Sequence, residues 1–305
     1  MPSVNTMYPL NPASTTGTDI TTDILVQQPT RVNRFVTDYL NINRRRFLLD
    51  VIFDNGGGMT GGAIIYESQG LNDFYATRDV QQVAPGAAFP LVTFARQALG
   101  QANPEKWGGE FEVTYEARDR NDTRQLQRKT IQLANTIIRK LNIRAMIELE
   151  AAIASLGGAG VIAGNNWAAA IPSGSNPTAP PLTPIADLAE VVTTNDLREL
   201  GLVYNTLIIH PSDLSVLRLF YQGQLNAVLA DYGFDTVFAT PQIAAGTVYA
   251  VAGQGQVGQY RVEQPLQTVS VEDKLLEKFT IKSSVRPAMF VDNPYAILKI
   301  TGVAG

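Results

Sequence analysis

The sequence predicts an α+β protein, and three stretches carry that prediction. An apolar stripe recurs at three, four and seven residues from Asp122 to Ser155, the mark of one long amphipathic helix. Between Gly62 and Phe94 two apolar arms flank a polar stretch, the pattern of a protruding hairpin. After Gly201 short β-rich runs alternate with helical ones, the texture of a compact mixed domain. A chain of 305 residues buries about three quarters of its unfolded surface and is long enough for one large domain or two smaller ones.

Composition closes several doors. With no cysteine, disulfides and thiolate metal sites are impossible, and with His210 as the single histidine a two-histidine zinc site is excluded. Any imidazole-based catalysis passes through that one residue. A formal charge of -4 is too small to steer partners and does not mark a dedicated nucleic-acid binder. Met1 to Leu25 is polar, without the basic start and apolar core of a signal peptide. The uncharged stretch from Ala151 to Ala186 is interrupted by glycine, asparagine and proline, so no membrane span is expected and the chain reads as soluble.

The elements follow in order. The first thirty residues, rich in Thr, Ser, Asn and Pro, read as an extended arm whose simplest partner is a neighbouring subunit. A basic segment follows, with Arg31, Arg34, Arg44, Arg45 and Arg46 against Asp38 alone, interleaved with Val32, Phe35, Val36, Tyr39, Leu40 and Ile42 as a short helix or turn. Phe47 to Phe53 is a short buried element, and Asn55 to Gly62 a glycine-rich loop. The hairpin takes GAIIYES (62–68) as one arm and AAFPLVTFA (87–95) as the other, with 71–85 as a polar tip. Such a hairpin is marginal alone and requires a partner surface.

Glu110 to Ala117 alternates as a strand. Asp122 with Gln125 gives a capping-box start to the long helix, which spans about 50 Å at 1.5 Å per residue and stops at Gly157 and Gly158. An irregular excursion runs to Pro181, and Thr183-Pro184 opens a second helix, with threonine as N-cap. Tyr204 to Ile209 is a strand. A helix capped by Ser212 or Asp213 comes next, then short strands at 247–252, 259–263, 268–271, 279–286 and 296–301.

Candidate chemistry is sparse. Two glycine triplets, Gly56, Gly58, Gly61 and Gly253, Gly255, Gly258, match the dinucleotide fingerprint, but each is followed by a strand pattern where phosphate binding requires a helix N-terminus. His210, Ser212 and Asp213 lie too close in sequence to aim at one another as a triad; a capping role and a strand-end histidine are the simpler reading. The carboxylates Glu110, Glu112 and Glu116 share one strand face, which is commonly an exposed one, and the pairs Asp50 with Asp54 and Glu148 with Glu150 show no metal-binding pattern. The long helix carries Arg124, Arg128, Arg139 and Arg144. This basic stripe is either a solvated face or an interface that receives Glu67, Asp73 and Asp79, beside Arg78, from a neighbour's hairpin.

In this order, with YNTLIIHPSDLSVLRLF opening the last domain and SSVRPAMFVDNPYAILKITG closing it, the sequence resembles the major capsid protein of tailed double-stranded DNA bacteriophages, a fold shared with herpesvirus capsid floors and encapsulins. The Asp122 to Ser155 helix looks like that family's spine helix. The resemblance implies an N-arm (1–49), an extended E-loop with its stem (50–104), a peripheral domain (105–201 and 275–286) and an axial domain (202–274 and 287–305). It implies pentamers and hexamers of this chain closing an icosahedral virion shell around double-stranded DNA, assembled in the host bacterial cytoplasm. Scaffolding and portal proteins, and in some members a decoration protein, are the implied partners; no membrane, catalysis, metal or cofactor is. One branch of the family crosslinks its shell through an E-loop lysine and a peripheral-strand asparagine. No lysine precedes Lys106 and no asparagine lies in 277–284, so a noncovalent shell is expected. The chain lacks the long acidic helical leader of self-scaffolding members, hence the separate scaffold. An encapsulin nanocompartment is the alternative, disfavoured by the polar arm of some fifty residues, and a soluble α/β enzyme using His210 is a distant one.

Overall fold

The computed structural model describes residues 48–305 apart from 77, 79, 94–97, 121–122, 254 and 305. A short helix α1 (Leu49–Ile52) leads into strand β1 (Asp54–Gly58), and β2 (Ile64–Ser68) is followed by the four-residue helix α2 (Leu71–Phe74). Strands β3 (Ala98–Ala102) and β4 (Trp107–Thr114), helix α3 (Tyr115–Asp119) and the long helix α4 (Thr123–Ser155) come next. Strand β5 (Val161–Ala163) and helix α5 (Pro184–Arg198) precede β6 (Tyr204–Ile209), α6 (Pro211–Tyr221) and α7 (Leu225–Asp231). Strands β7 (Thr236–Ala239), β8 (Thr247–Ala252), β9 (Gly258–Asp273), β10 (Lys278–Val291) and β11 (Ile297–Thr301) complete the chain.

The strands form three sheets among the described residues: β1-β9-β10-β4, β5-β11-β8-β6-β7 and the separate pair β2-β3. The first is antiparallel except where β1 runs parallel to β9, and the second is mixed. The fold is therefore α+β, as expected.

Helix α4 ties the sheets together. No glycine or proline occurs in its 33 residues, so nothing interrupts the backbone hydrogen bonds. Gly157 (φ 61) ends it by taking the left-handed conformation that glycine adopts without steric cost. Near its start, Leu126 and Ala134 pack with Val113, Phe279 and Ile281 of β4 and β10 in a small core. Further on, Ile137, Leu141, Ala145, Leu149 and Ile153 enter the larger core, built on β6, β8 and β11. The Asp122 half of the capping box lies outside the described residues.

Several expectations need correction. The second hairpin arm is Ala98–Ala102, not 87–95, and pairs antiparallel with β2 from Ile64↔Ala102 to Ser68↔Ala98. Pro90, within the expected arm, has no N–H for a ladder, whereas Gly100 leaves room for the Tyr66 ring that lies across it. The glycine run after Asp54 is not wholly a loop: 54–58 pairs with β9, and bare Gly56 accommodates the side chains of Gln259 and Arg261. The strands expected at 259–263 and 268–271 are one sixteen-residue strand, paired with the fourteen-residue β10 through a tight tip at 274–277. Glu116 lies on α3 rather than on the strand with Glu110 and Glu112.

The start of α5 at Pro184 is as expected, but the Thr183 hydroxyl donates backward to Pro180 O (2.7 Å) and does not cap the helix. At α6 the cap is His210, whose Nδ1 accepts from the Ser212 N–H at 3.3 Å. Strands β5 and β7 and helix α7 were not evident from sequence, since three to seven residues are too few for a periodicity to show. The excursion after the long helix is anchored by buried Asp187. Its carboxylate accepts from the Asn165 N–H (2.9 Å), Asn165 Nδ2 (2.6 Å) and Trp167 Nε1 (2.6 Å).

Two stability predictions follow from this packing. Leu149→Ala, which leaves a cavity in the larger core, is expected to lower unfolding free energy by about 2–5 kcal/mol. Exposed Arg128→Ala on the same helix should stay within about 0.5 kcal/mol; urea unfolding of unassembled protein checks both. Burial pushes the Tyr204 hydroxyl, which donates to Tyr295 O (2.5 Å), up to about 12, although neighbouring Arg198 pulls the other way. The folded state thus keeps a proton that the unfolded chain releases near pH 10. Its stability should be full below pH 10 and fall as pH rises to about 12. Tyr204→Phe should flatten part of that decline in urea midpoints measured from pH 8 to 12.

Candidate assembly surfaces

The β2-β3 hairpin is a ribbon with two faces. Tyr66, on the inward face, stacks on Phe290 with ring centroids 4.6 Å apart. Burial, then the nearby charges of Glu148 and Asp292, raise the pKa of Tyr66. On the other face Ile65, Glu67 and Leu99 are exposed. Beyond the ribbon, Val80, Phe89 and Leu91 are 76 %, 86 % and 76 % exposed, an apolar display along the connection between β2 and β3.

At the base of the hairpin a polar cluster joins it to the long helix. Arg144 Nε donates to Glu105 Oε1 (2.7 Å), Arg144 Nη2 pairs with Glu148 one turn further along, and Trp107 Nε1 donates to Glu105 Oε2 (3.1 Å). Burial works against the guanidinium charge, yet the two carboxylates outweigh it and raise the Arg144 pKa. These groups border a cavity of about 220 Å³ that Tyr66 and Met289 also line.

The expected interface residues divide accordingly. Glu67, Arg78, Arg128 and Arg139 are exposed. Asp73 accepts the Gly70 N–H, and Arg144 is engaged within its own chain instead of standing free on a basic stripe. Asp79, the Arg124 side chain and Arg31, Arg34, Arg44, Arg45 and Arg46 lie outside the described residues. Glu105, which holds the cluster together, was not evident from sequence; its only local signal is its place two residues before Trp107.

The groups that suggested catalysis have other roles. Ser212 Oγ contacts His210 Nδ1 (2.6 Å) and donates to Asp213 Oδ1 (3.0 Å), while Asp213 Oδ2 accepts the buried Gly246 N–H (2.8 Å). Serine thus stands between histidine and aspartate, so the carboxylate does not orient the imidazole as a triad requires. The glycine triplets lead into β2 and β9, with no helix N-terminus after either. Glu112 pairs with Lys278, Glu150 with Lys299 and Tyr249, and Asp50 accepts from Tyr260. Among the described residues no group of three or more acidic or histidine side chains is placed to hold a metal ion. No described helix is long and apolar enough to cross a membrane.

The groups that suggested catalysis are thus occupied in capping and in internal hydrogen bonds and ion pairs, while the β2-β3 ribbon presents an exposed face. The family model described as phage capsid protein matches residues 99–300, from β3 through most of β11. The chain belongs to the phage capsid protein family. Solved structures agree on the fold of this capsid protein. The virus-like particle from Pyrococcus furiosus aligns over 88% of this chain and 97% of its own, at 16% identity and TM-score 0.56. Mycobacterium phage Bobi gives 84% and 89%, 15% identity and TM-score 0.57, and the capsid of Myoviridae phage XM1 gives 84% and 90%, 12% identity and TM-score 0.50. No curated protein matches the sequence. The capsid protein has the fold of tailed-phage major capsid proteins, a structural role and a place in the virion capsid.

Arg144→Ala is expected to loosen the hairpin base without unfolding the capsid protein. Hydrogen exchange at amides 98–102 should accelerate by about tenfold and global stability fall by about 1.5–3 kcal/mol. Arg144→Lys should restore part of each in exchange mass spectrometry and urea unfolding.

Proposed function

We propose that the chain is the major capsid protein of a tailed double-stranded DNA phage, forming pentamers and hexamers that close an icosahedral shell around the genome. The observation that carries this reading is the exposure of Phe89 and Leu91 on the connection between the two hairpin strands: apolar side chains left this open to solvent are covered when a neighbouring subunit packs on them. In this reading residues 1–49 are the N-arm and 50–104 the E-loop with its stem. The peripheral domain is 105–201 with 275–286, and the axial domain is 202–274 with 287–305; the outer half of β9 joins the peripheral sheet through its pairing with β10. Glu67, Arg78, Arg128 and Arg139, all exposed, are the proposed intersubunit ion-pair partners. Such pairs set register more than affinity.

Partners in this reading are further copies of the chain, a scaffolding protein, a portal, a decoration protein in some shells, and packaged DNA held without sequence preference. Assembly takes place in the host cytoplasm. The phage family match favours this over both an encapsulin compartment and an enzyme, and His210 is accounted for as a helix cap.

Negative-stain electron microscopy with light scattering, on protein expressed alone and with a scaffolding protein, is expected to give pentamers, hexamers or closed polyhedral shells. A uniform monomer under all conditions overturns the proposal. Boiled particles should run as a single band on denaturing gels, because no lysine precedes Lys106 to supply an E-loop crosslink; a ladder refutes the noncovalent shell.

A further inference from the structure

The long ribbon of β9 and β10 ends in the tip Lys274-Leu275-Leu276-Glu277, whose two leucines are 95 % and 63 % exposed. A single solvent-facing leucine is ordinary, but two in succession at the end of a ribbon form a small apolar knob.

The knob has a fixed base. Asp273 Oδ1 accepts the Leu275 N–H (3.0 Å) and the Leu276 N–H (3.2 Å), a side-chain-closed turn that sets the backbone beneath the leucines. Glu277 takes the left-handed conformation (φ 47), and its carbonyl accepts the Tyr115 N–H (2.9 Å) from the start of α3. Charges beside the turn are engaged within the chain: Tyr115 OH donates to Glu272 Oε1 (2.5 Å), and Lys278 pairs with Glu112 (2.5 Å). Lys274 and Glu277 are the exceptions. Both are exposed, and no ion pair among the described residues engages either.

A cation and an anion flanking an apolar pair make the tip its own complement. Lys274 of one copy can meet Glu277 of another while the leucines cover each other, and a contact between identical patches closes under rotational symmetry. Because the turn is set beforehand, little ordering cost opposes the contact.

We propose that the β9-β10 tip is a self-docking point, where Leu275 and Leu276 pack on the same residues of another copy and Lys274 pairs with that copy's Glu277. Two leucines cover far less than the roughly 1,200 Å² of a self-standing interface. The tips therefore join copies already gathered in an assembly and do not dimerise the free chain. The inference rests on the shell proposed above and adds to it a contact made by residues outside the β2-β3 hairpin.

The chain has no cysteine of its own, which makes the test clean. Particles assembled from full-length Leu275→Cys protein and oxidised with copper phenanthroline are expected to give disulfide-linked dimers on non-reducing gels, at a yield at least about tenfold above that of unassembled protein at equal concentration. Lys274→Glu and Glu277→Lys should each lower the yield of closed particles by about fivefold or more, because each sets like charges against one another. The combined reversal restores opposite charges and should return the yield to within about twofold of wild type, with far-ultraviolet dichroism unchanged in all three. Where Leu275→Cys itself prevents closure, the charge series decides alone. Leu275→Cys shells that form without the disulfide, single reversals with wild-type yield, or a combined variant no better than either single one overturn the tip contact in favour of a different partner and leave the shell standing; a wild-type chain that never assembles overturns both.

Discussion

One constraint organises this protein: a single uninterrupted helix is buried in two cores in succession. Near its start α4 covers one face of the β4-β10-β9 sheet, and from Ile137 to Ile153 it is part of the core of the five-stranded sheet. A kink would dissociate those packings, since sheet faces bury apolar surface only where a partner lies flat on them. Hence 33 residues without glycine or proline, and an abrupt stop at Gly157 where the chain must turn back towards β5.

The same helix fixes how the protruding parts leave the body. Arg144, on its solvent-accessible flank, reaches Glu105 between β3 and β4, and Glu148 holds the guanidinium from the next turn. A partly buried, charge-assisted cluster of this kind is directional in a way that apolar contacts are not. It sets the base of the β2-β3 ribbon while the outer face of the ribbon stays exposed. Other polar groups among the described residues serve the same sort of positioning. The single histidine caps a helix, Asp187 pins a loop through three hydrogen bonds, and Glu150 joins α4 to β11 through Lys299. A structural role in the virion capsid agrees with that distribution.

Much of the fold was legible from sequence because it is written in long, periodic or punctuated signals. The Thr123–Ser155 helix, the Tyr204–Ile209 strand, the proline at the start of α5 and the β8 strand emerged at or near their observed bounds. The errors share one cause, that strand pairing is not local. Gly56 belongs to a strand only because Gln259 and Arg261 lie over it, and Ala98–Ala102, with little β character of its own, becomes a hairpin arm because Tyr66 packs across Gly100. Residues 264–267, with Pro265 among them, fall between the two expected strands, yet β9 runs on through them, its register against β10 shifting between Ser284 and Pro287.

By itself the sequence determined the α+β class, the lack of any thiol or two-histidine chemistry, the length of the central helix and the order of parts that resembles a phage capsid protein. These follow from composition and from periodicities within one segment. Only the tertiary structure decided which strands pair, that His210 is a cap and that Arg144 is engaged at the hairpin base. Each of those depends on groups far apart in sequence meeting in space, where desolvation and close packing assign a role that no local pattern encodes.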